Sequence, residues 1–233
     1  MSISDKNEAF PNEEQLKRRV FFTPCESQQA LHDWIELFLG LDFPSTRVDE
    51  SSNSSPMESI WEIYHHIHLN DDPMFSRVLV YAARDSYKSL GAAVLETLVA
   101  IHFHLDVGHM AAIAGQAHNV QLYVRTFFNR PVLRDFKKGD SVEKTEIIGY
   151  KHKDTGECLS AKEWKELLPI EQEPYKEFSS FIKIVIATMT GTNSLHAQFF
   201  CVDGGTEMNT QGSYSPGRCR KKCTARGVFR AIS

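Results

Sequence analysis

The residues best suited to chemistry are Lys88 and Ser89, which begin a helical pattern shortly after the apolar run at residues 78–81. A buried strand followed by a turn and a helix presents unpaired backbone N–H groups and the positive end of the helix dipole at one point, which favours a bound phosphate. A lysine there can reach the outer phosphates of a nucleotide, and a serine hydroxyl can ligate Mg²⁺. The spacing therefore predicts a phosphate-binding loop.

The predicted loop departs from the glycine-rich consensus. When Lys88 and Ser89 are aligned on the Lys-Ser/Thr pair of that consensus, Ala82 and Tyr87 occupy the positions of its two glycines. The alternative interpretation is a surface turn with a solvated lysine, because a Lys-Ser pair after a strand is common by chance.

A second candidate position is Asp203, which ends the apolar run at residues 199–202. A carboxylate at the carboxyl end of a strand is well placed to hold the water shell of Mg²⁺. The next residue is Gly204, where an active ATPase usually has a glutamate that orients or activates the attacking water. Weak or absent hydrolysis is therefore expected.

The elements that must position these residues alternate between strand and helix. After the strand at 78–81, the apolar residues Leu90, Val94, Leu98 and Ile101 recur at helical spacing. Further strands are predicted at 109–115, 182–188 and 199–202, with a helix at 116–128 and a β-hairpin at 146–160. Amphipathic helices at 26–39 and 57–67 precede them. The pattern predicts an α/β fold with a doubly wound parallel sheet and a helical lead-in.

The order of these parts resembles the N-terminal ATPase domain of the large terminase subunit of tailed bacteriophages. Three stretches carry the resemblance: residues 81–89 as a divergent Walker A element, 113–118 as a second strand with its helix, and 184–203 as the run into Walker B. The resemblance implies a P-loop NTPase-like parallel sheet with flanking helices that binds ATP and Mg²⁺. The residues implied to contact the cofactors are Arg84, Ser86, Lys88 and Ser89 for the nucleotide, with Ser89 and Asp203 for Mg²⁺.

The resemblance also implies a biological role. In its complete form such a domain powers the packaging of double-stranded viral DNA with the terminase small subunit and the portal, in the host cytoplasm and without a membrane. The expected division is an N-terminal arm at 1–24, an incomplete ATPase domain at 25–203 and a basic, disordered tail at 204–233, with no room for the nuclease domain. The alternative is a non-catalytic α/β interaction or assembly module.

The amino-acid composition limits the kinds of partner and binding site that the chain can have. A formal net charge of −4 gives no global electrostatic case for nucleic-acid binding, although the basic stretch at 218–230 can contact DNA phosphates or be a solvated chain end. Five scattered cysteines argue against a disulfide framework, and no apolar run reaches the length of a membrane span. The clusters His65/His66/His68 with Asp71/Asp72 and His102/His104/Asp106/His109 contain metal-capable side chains but match no standard zinc pattern.

Overall fold

The computed structural model describes residues 20–47, 50, 52–69, 77–81, 87–111, 113–186, 197–203 and 227–232. The helices are α1 (Gln28–Trp34), continued by a π-helical turn (Ile35–Leu39), α2 (Pro56–Leu69), α3 (Lys88–His102), α4 (Ala114–Phe127), α5 (Pro131–Asp135), α6 (Ala161–Glu166) and α7 (Pro169–Gln172). The strands are β1 (Arg77–Tyr81), β2 (Val107–Ala111), β3 (Lys137–Asp140), β4 (Lys144–His152), β5 (Cys158–Leu159), β6 (Tyr175–Ile186), β7 (Phe199–Asp203) and β8 (Gly227–Ile232).

One sheet organises the fold, with the strand order β1-β8-β7-β2-β6-β4-β3 and β5 paired to β4. The strands β1, β8, β7, β2 and β6 run parallel to one another. The strands β3, β4 and β5 add antiparallel pairs at the far edge. The predicted α/β fold is confirmed, and the sheet is mixed rather than wholly parallel because hairpin connections favour antiparallel neighbours.

Several predicted elements are confirmed with shifted ends. The strand β7 has the predicted span and includes Asp203, and the predicted hairpin is formed by β4 and β5. The strand β6 begins at Tyr175, seven residues before the predicted start at Ile182. The polar segment 160–178 is predicted to be helical or irregular, but residues 175–178 belong to β6 and pair with β4. Cross-strand pairing overrides weak local strand propensity there.

The chain end differs from the expected disordered tail. Gly227–Ile232 form β8, which pairs in parallel with both β1 and β7. The expectation of disorder is wrong for these residues, because the flanking basic and glycine residues obscured a short apolar strand in the sequence. The boundaries at 24/25 and 203/204 stay predictions.

The helix α3 is the centre of the core. Every residue from Ala92 to His102 is buried, and the helix packs against α2, α4 and the strands β2, β6 and β7. Such a helix, apolar on nearly all sides, belongs in the interior. The predicted helical lead-in is confirmed: Trp34 of α1 and Tyr64 of α2 are buried beside it. These contacts fix the direction of α3 and hence the position of its first residues.

Candidate functional site

The start of α3 is the first part of the candidate site. Lys88 and Ser89 are its first two residues, and both are half-buried. The residue before them, Tyr87, has φ +61° and ψ +15°, which is the left-handed conformation that glycine adopts most easily. Tyr87 occupies the second glycine position of the phosphate-loop pattern. The backbone thus has a glycine-like conformation there although the side chain is a tyrosine.

The other predicted loop residues, Ala82, Arg84 and Ser86, lie outside the described residues. The carbonyl oxygen of Tyr87 accepts a hydrogen bond from the N–H of Gly91 at 2.7 Å, which closes the first turn of α3. The Tyr87 side chain makes no capping hydrogen bond and is 47% exposed. Its ring instead lies edge-on to Phe43 at 6.3 Å between centroids.

The second part of the site is Asp203, the last residue of β7. Its register partner on β2 is Ala111. On the other side Val202 pairs with Arg230 of β8, and Ala231 pairs with Val80 of β1. Asp203 is therefore level with Val80 across two interstrand spacings, about 10 Å.

This register brings the ends of β1 and β7 to one edge of the sheet. Parallel strands end at the same edge, so β1 ends on the side where β7 ends, and residues 82–86 between β1 and Tyr87 lie outside the described residues. The sequence predicted both elements, and it did not predict that β8 lies between them. Gly204 lies outside the described residues.

A separate polar cluster lies beneath this edge, formed by Glu96 of α3, His109 of β2 and Cys201 of β7. All three are fully buried. His109 Nδ1 and Glu96 Oε1 are 2.6 Å apart, and ligand atoms of the three side chains all lie within 4.8 Å of one another. The sequence analysis grouped His109 with His102, His104 and Asp106 and did not identify Glu96. The sequence feature that could have indicated Glu96 is its position as the single carboxylate within the apolar run of residues 92–101.

Of the predicted group His102/His104/Asp106/His109, His102 is buried against core residues and His104 is partly buried. His102 Nε2 faces the Phe21 carbonyl oxygen at 3.1 Å, and His102 Nδ1 faces the Tyr64 hydroxyl at 2.6 Å. Because the carbonyl only accepts, Nε2 carries the proton and the Tyr64 hydroxyl donates to Nδ1. Burial lowers the pKa of His102 to about 3, and His104, stacked on Phe178, has its pKa lowered to about 4 by burial.

The other predicted histidine group lies at the end of α2. His65 stacks on Trp61 with 4.9 Å between ring centroids, and Asp71 and Asp72 lie outside the described residues. Within the described part of the chain, neither histidine group forms a three-residue metal-capable cluster; Glu96, His109 and Cys201 do.

Comparisons with solved structures find a similarity to a phage protein domain. No protein-family profile matches the chain, and no curated protein matches it. The fold is similar to that of the large terminase ATPase domain of Thermus phage P74-26, solved as a mutant, with 12% identity and a TM-score of 0.44. The similarity covers 76% of this chain and 70% of that chain. Among the described residues, no helix has the length and apolarity needed to cross a membrane.

Proposed function

We propose that this chain binds ATP with Mg²⁺ at the edge of the sheet where its parallel strands end. One observation carries the proposal: a Lys-Ser pair preceded by a left-handed residue begins the helix that follows β1 in the chain, and β1 ends at the same sheet edge as β7, whose last residue is Asp203. A helix N-terminus attracts phosphate, and a carboxylate at the carboxyl end of a neighbouring strand suits the Mg²⁺ ion that accompanies a nucleotide.

Each residue has a defined part in the proposed site. Lys88 binds the outer phosphates, and the Ser89 hydroxyl and the Asp203 carboxylate hold Mg²⁺ with its water shell. Arg84 senses the terminal phosphate, and Ser86 contributes a further contact in the loop. The protein supplies position and charge, which are the main contributions a protein makes to phosphoryl transfer.

Hydrolysis by this chain is expected to be weak or absent. Gly204 has no side chain to orient or activate water, and such a group contributes roughly 10²–10⁴-fold to rate. Gly204→Glu is therefore expected to raise phosphate release from bound ATP. Unchanged phosphate release in a variant that still binds ATP would count against this part of the proposal.

We further propose, from the resemblance of residues 81–89 and 184–203 to terminase motifs, that the nucleotide site belongs to the motor that packages viral DNA. The partners in this proposal are double-stranded DNA, the terminase small subunit and the portal, and the location is the host cytoplasm. ATP binding is the first requirement of this role and is tested first.

The test is Mg²⁺-dependent binding of a fluorescent ATP analogue to the wild type and to Lys88→Ala. Lys162→Ala is the matched control, because Lys162 is an exposed lysine on α6, which packs on β4 and β5 rather than on the strands of the site. We expect saturable binding to the wild type and to Lys162→Ala and its loss in Lys88→Ala. Asp203→Asn is expected to weaken binding in the presence of Mg²⁺ more than in its absence.

A folded wild type that binds no nucleotide would overturn the proposal. The α/β interaction or assembly module would then be the better description, since such a scaffold has no need of Lys88. Equal binding by the wild type and Lys88→Ala would show that nucleotide is held elsewhere.

A further inference from the structure

Three metal-capable side chains converge in the core from three different elements. Glu96 lies on α3, His109 on β2 and Cys201 on β7, and His109 and Cys201 are register partners on adjacent parallel strands. Their ligand atoms lie within 4.8 Å of one another, and each residue is fully buried. The proposed ATP site does not use these residues.

Among the three side chains, the buried carboxylate of Glu96 most needs compensating hydrogen bonds or charges. Burying a carboxylate is costly unless hydrogen bonds or charges compensate it. His109 Nδ1 lies at hydrogen-bonding distance from Oε1, but Oε2 is buried and has no hydrogen-bond partner among the described residues. A cation bound here would satisfy that oxygen.

The donor set selects the kind of cation. Thiolate sulfur, imidazole nitrogen and carboxylate oxygen together suit Zn²⁺, whereas Mg²⁺ and Ca²⁺ prefer oxygen ligands alone. Bonds of about 2.0–2.3 Å around tetrahedral zinc place ligand atoms roughly 3.5 Å apart. Zinc binding therefore requires ligand atoms at the 4.8 Å limit to approach by about 1 Å and the Glu96–His109 pair at 2.6 Å to separate by about 1 Å, which side-chain rotation can supply.

We propose that Glu96, His109 and Cys201 bind a structural Zn²⁺ ion between α3 and the sheet. On binding, the Cys201 thiol releases its proton to solvent and the thiolate takes a zinc coordination position. The fourth position of the metal remains for a water molecule or another ligand.

An ion bound between α3 and β7 would connect two elements of the proposed ATP site. Glu96 is eight residues after Lys88, about 12 Å along α3, and Cys201 is two residues before Asp203 in β7. The ion would join the helix that begins at the proposed phosphate site to the strand that ends at the proposed Mg²⁺ site. Its removal is therefore expected to lower the melting temperature of the whole domain.

The test is cobalt substitution in the full chain after zinc has been removed with a chelator. Co²⁺ reports thiolate ligation through a charge-transfer band in the near ultraviolet, independently of any nucleotide. We expect one equivalent of Co²⁺ to give this band in the wild type and in Cys158→Ala, the control at a buried cysteine outside the cluster. The band is expected to be lost in Cys201→Ala, and Glu96→Gln is expected to weaken Co²⁺ and Zn²⁺ binding.

Two outcomes would overturn the proposal. One is a folded wild type that develops no thiolate band and whose melting temperature does not change with Zn²⁺ or chelator. The other is a band that persists in Cys201→Ala and is lost in Cys158→Ala. The wild-type measurement decides the question even if a variant fails to fold.

Discussion

The left-handed conformation of Tyr87 gives a sharp prediction about the loop before α3. A non-glycine residue at φ +61° pays about 1–2 kcal/mol relative to the right-handed region. Glycine avoids that cost, although it loses about 0.5–1 kcal/mol more backbone entropy on folding. In Tyr87→Gly and Tyr87→Ala the ring is equally absent. The difference between their free energies of unfolding therefore reports only the effect of the backbone conformation at residue 87. We expect Tyr87→Gly to be the more stable variant by about 0.5–1 kcal/mol.

The contact made by the Tyr87 ring determines how stable the wild type is relative to Tyr87→Gly and Tyr87→Ala. It is 47% exposed and lies edge-on to Phe43 at 6.3 Å, near the outer limit for an aromatic pair. Its removal is expected to cost roughly 0.5–1 kcal/mol. Tyr87→Gly should therefore have a free energy of unfolding close to that of the wild type, and Tyr87→Ala should be clearly less stable.

The assay is urea unfolding of the three proteins followed by circular dichroism, with the midpoints compared at a common slope. Phe43→Leu is the control for the ring contact, because it weakens the aromatic pair and leaves residue 87 unchanged. If Tyr87→Ala proved as stable as Tyr87→Gly, or more stable, residue 87 would not be held in the left-handed region in solution. The glycine-like geometry of the proposed phosphate loop would then lose its support.

Further predictions concern the core. Gly149→Ala is expected to cost about 1–3 kcal/mol in urea unfolding, because a Cβ there would overlap the Phe178 ring and force the core to shift. Tyr64→Phe is expected to cost about 1–3 kcal/mol, since it removes the hydroxyl that donates to buried His102, and an unchanged urea midpoint would contradict this. The buried histidines have pKa values of about 3 for His102 and about 4 for His104, below the unfolded value near 6.5. The unfolded chain therefore binds more protons below pH 6.5, and stability should fall by about 1.4 kcal/mol per pH unit for each histidine as pH drops toward 4, measured by urea midpoints across pH.

The sequence by itself determined the local units of this protein. The helical lead-in, the strand, turn and helix around Lys88, the hairpin and the strand ending in Asp203 all follow from apolar periodicity and turn residues within short windows. These features depend on neighbours in the chain, so a single sequence records them.

Tertiary structure alone decided which distant segments meet. The insertion of β8 between β1 and β7, and the extension of β6 along β4, depend on backbone pairing between residues far apart in sequence. The same is true of Glu96, His109 and Cys201, which are scattered along the chain and share no motif spacing. Side chains on three elements become neighbours only when strand order and helix packing are fixed, because burial and register are set by contacts between segments rather than by local propensity.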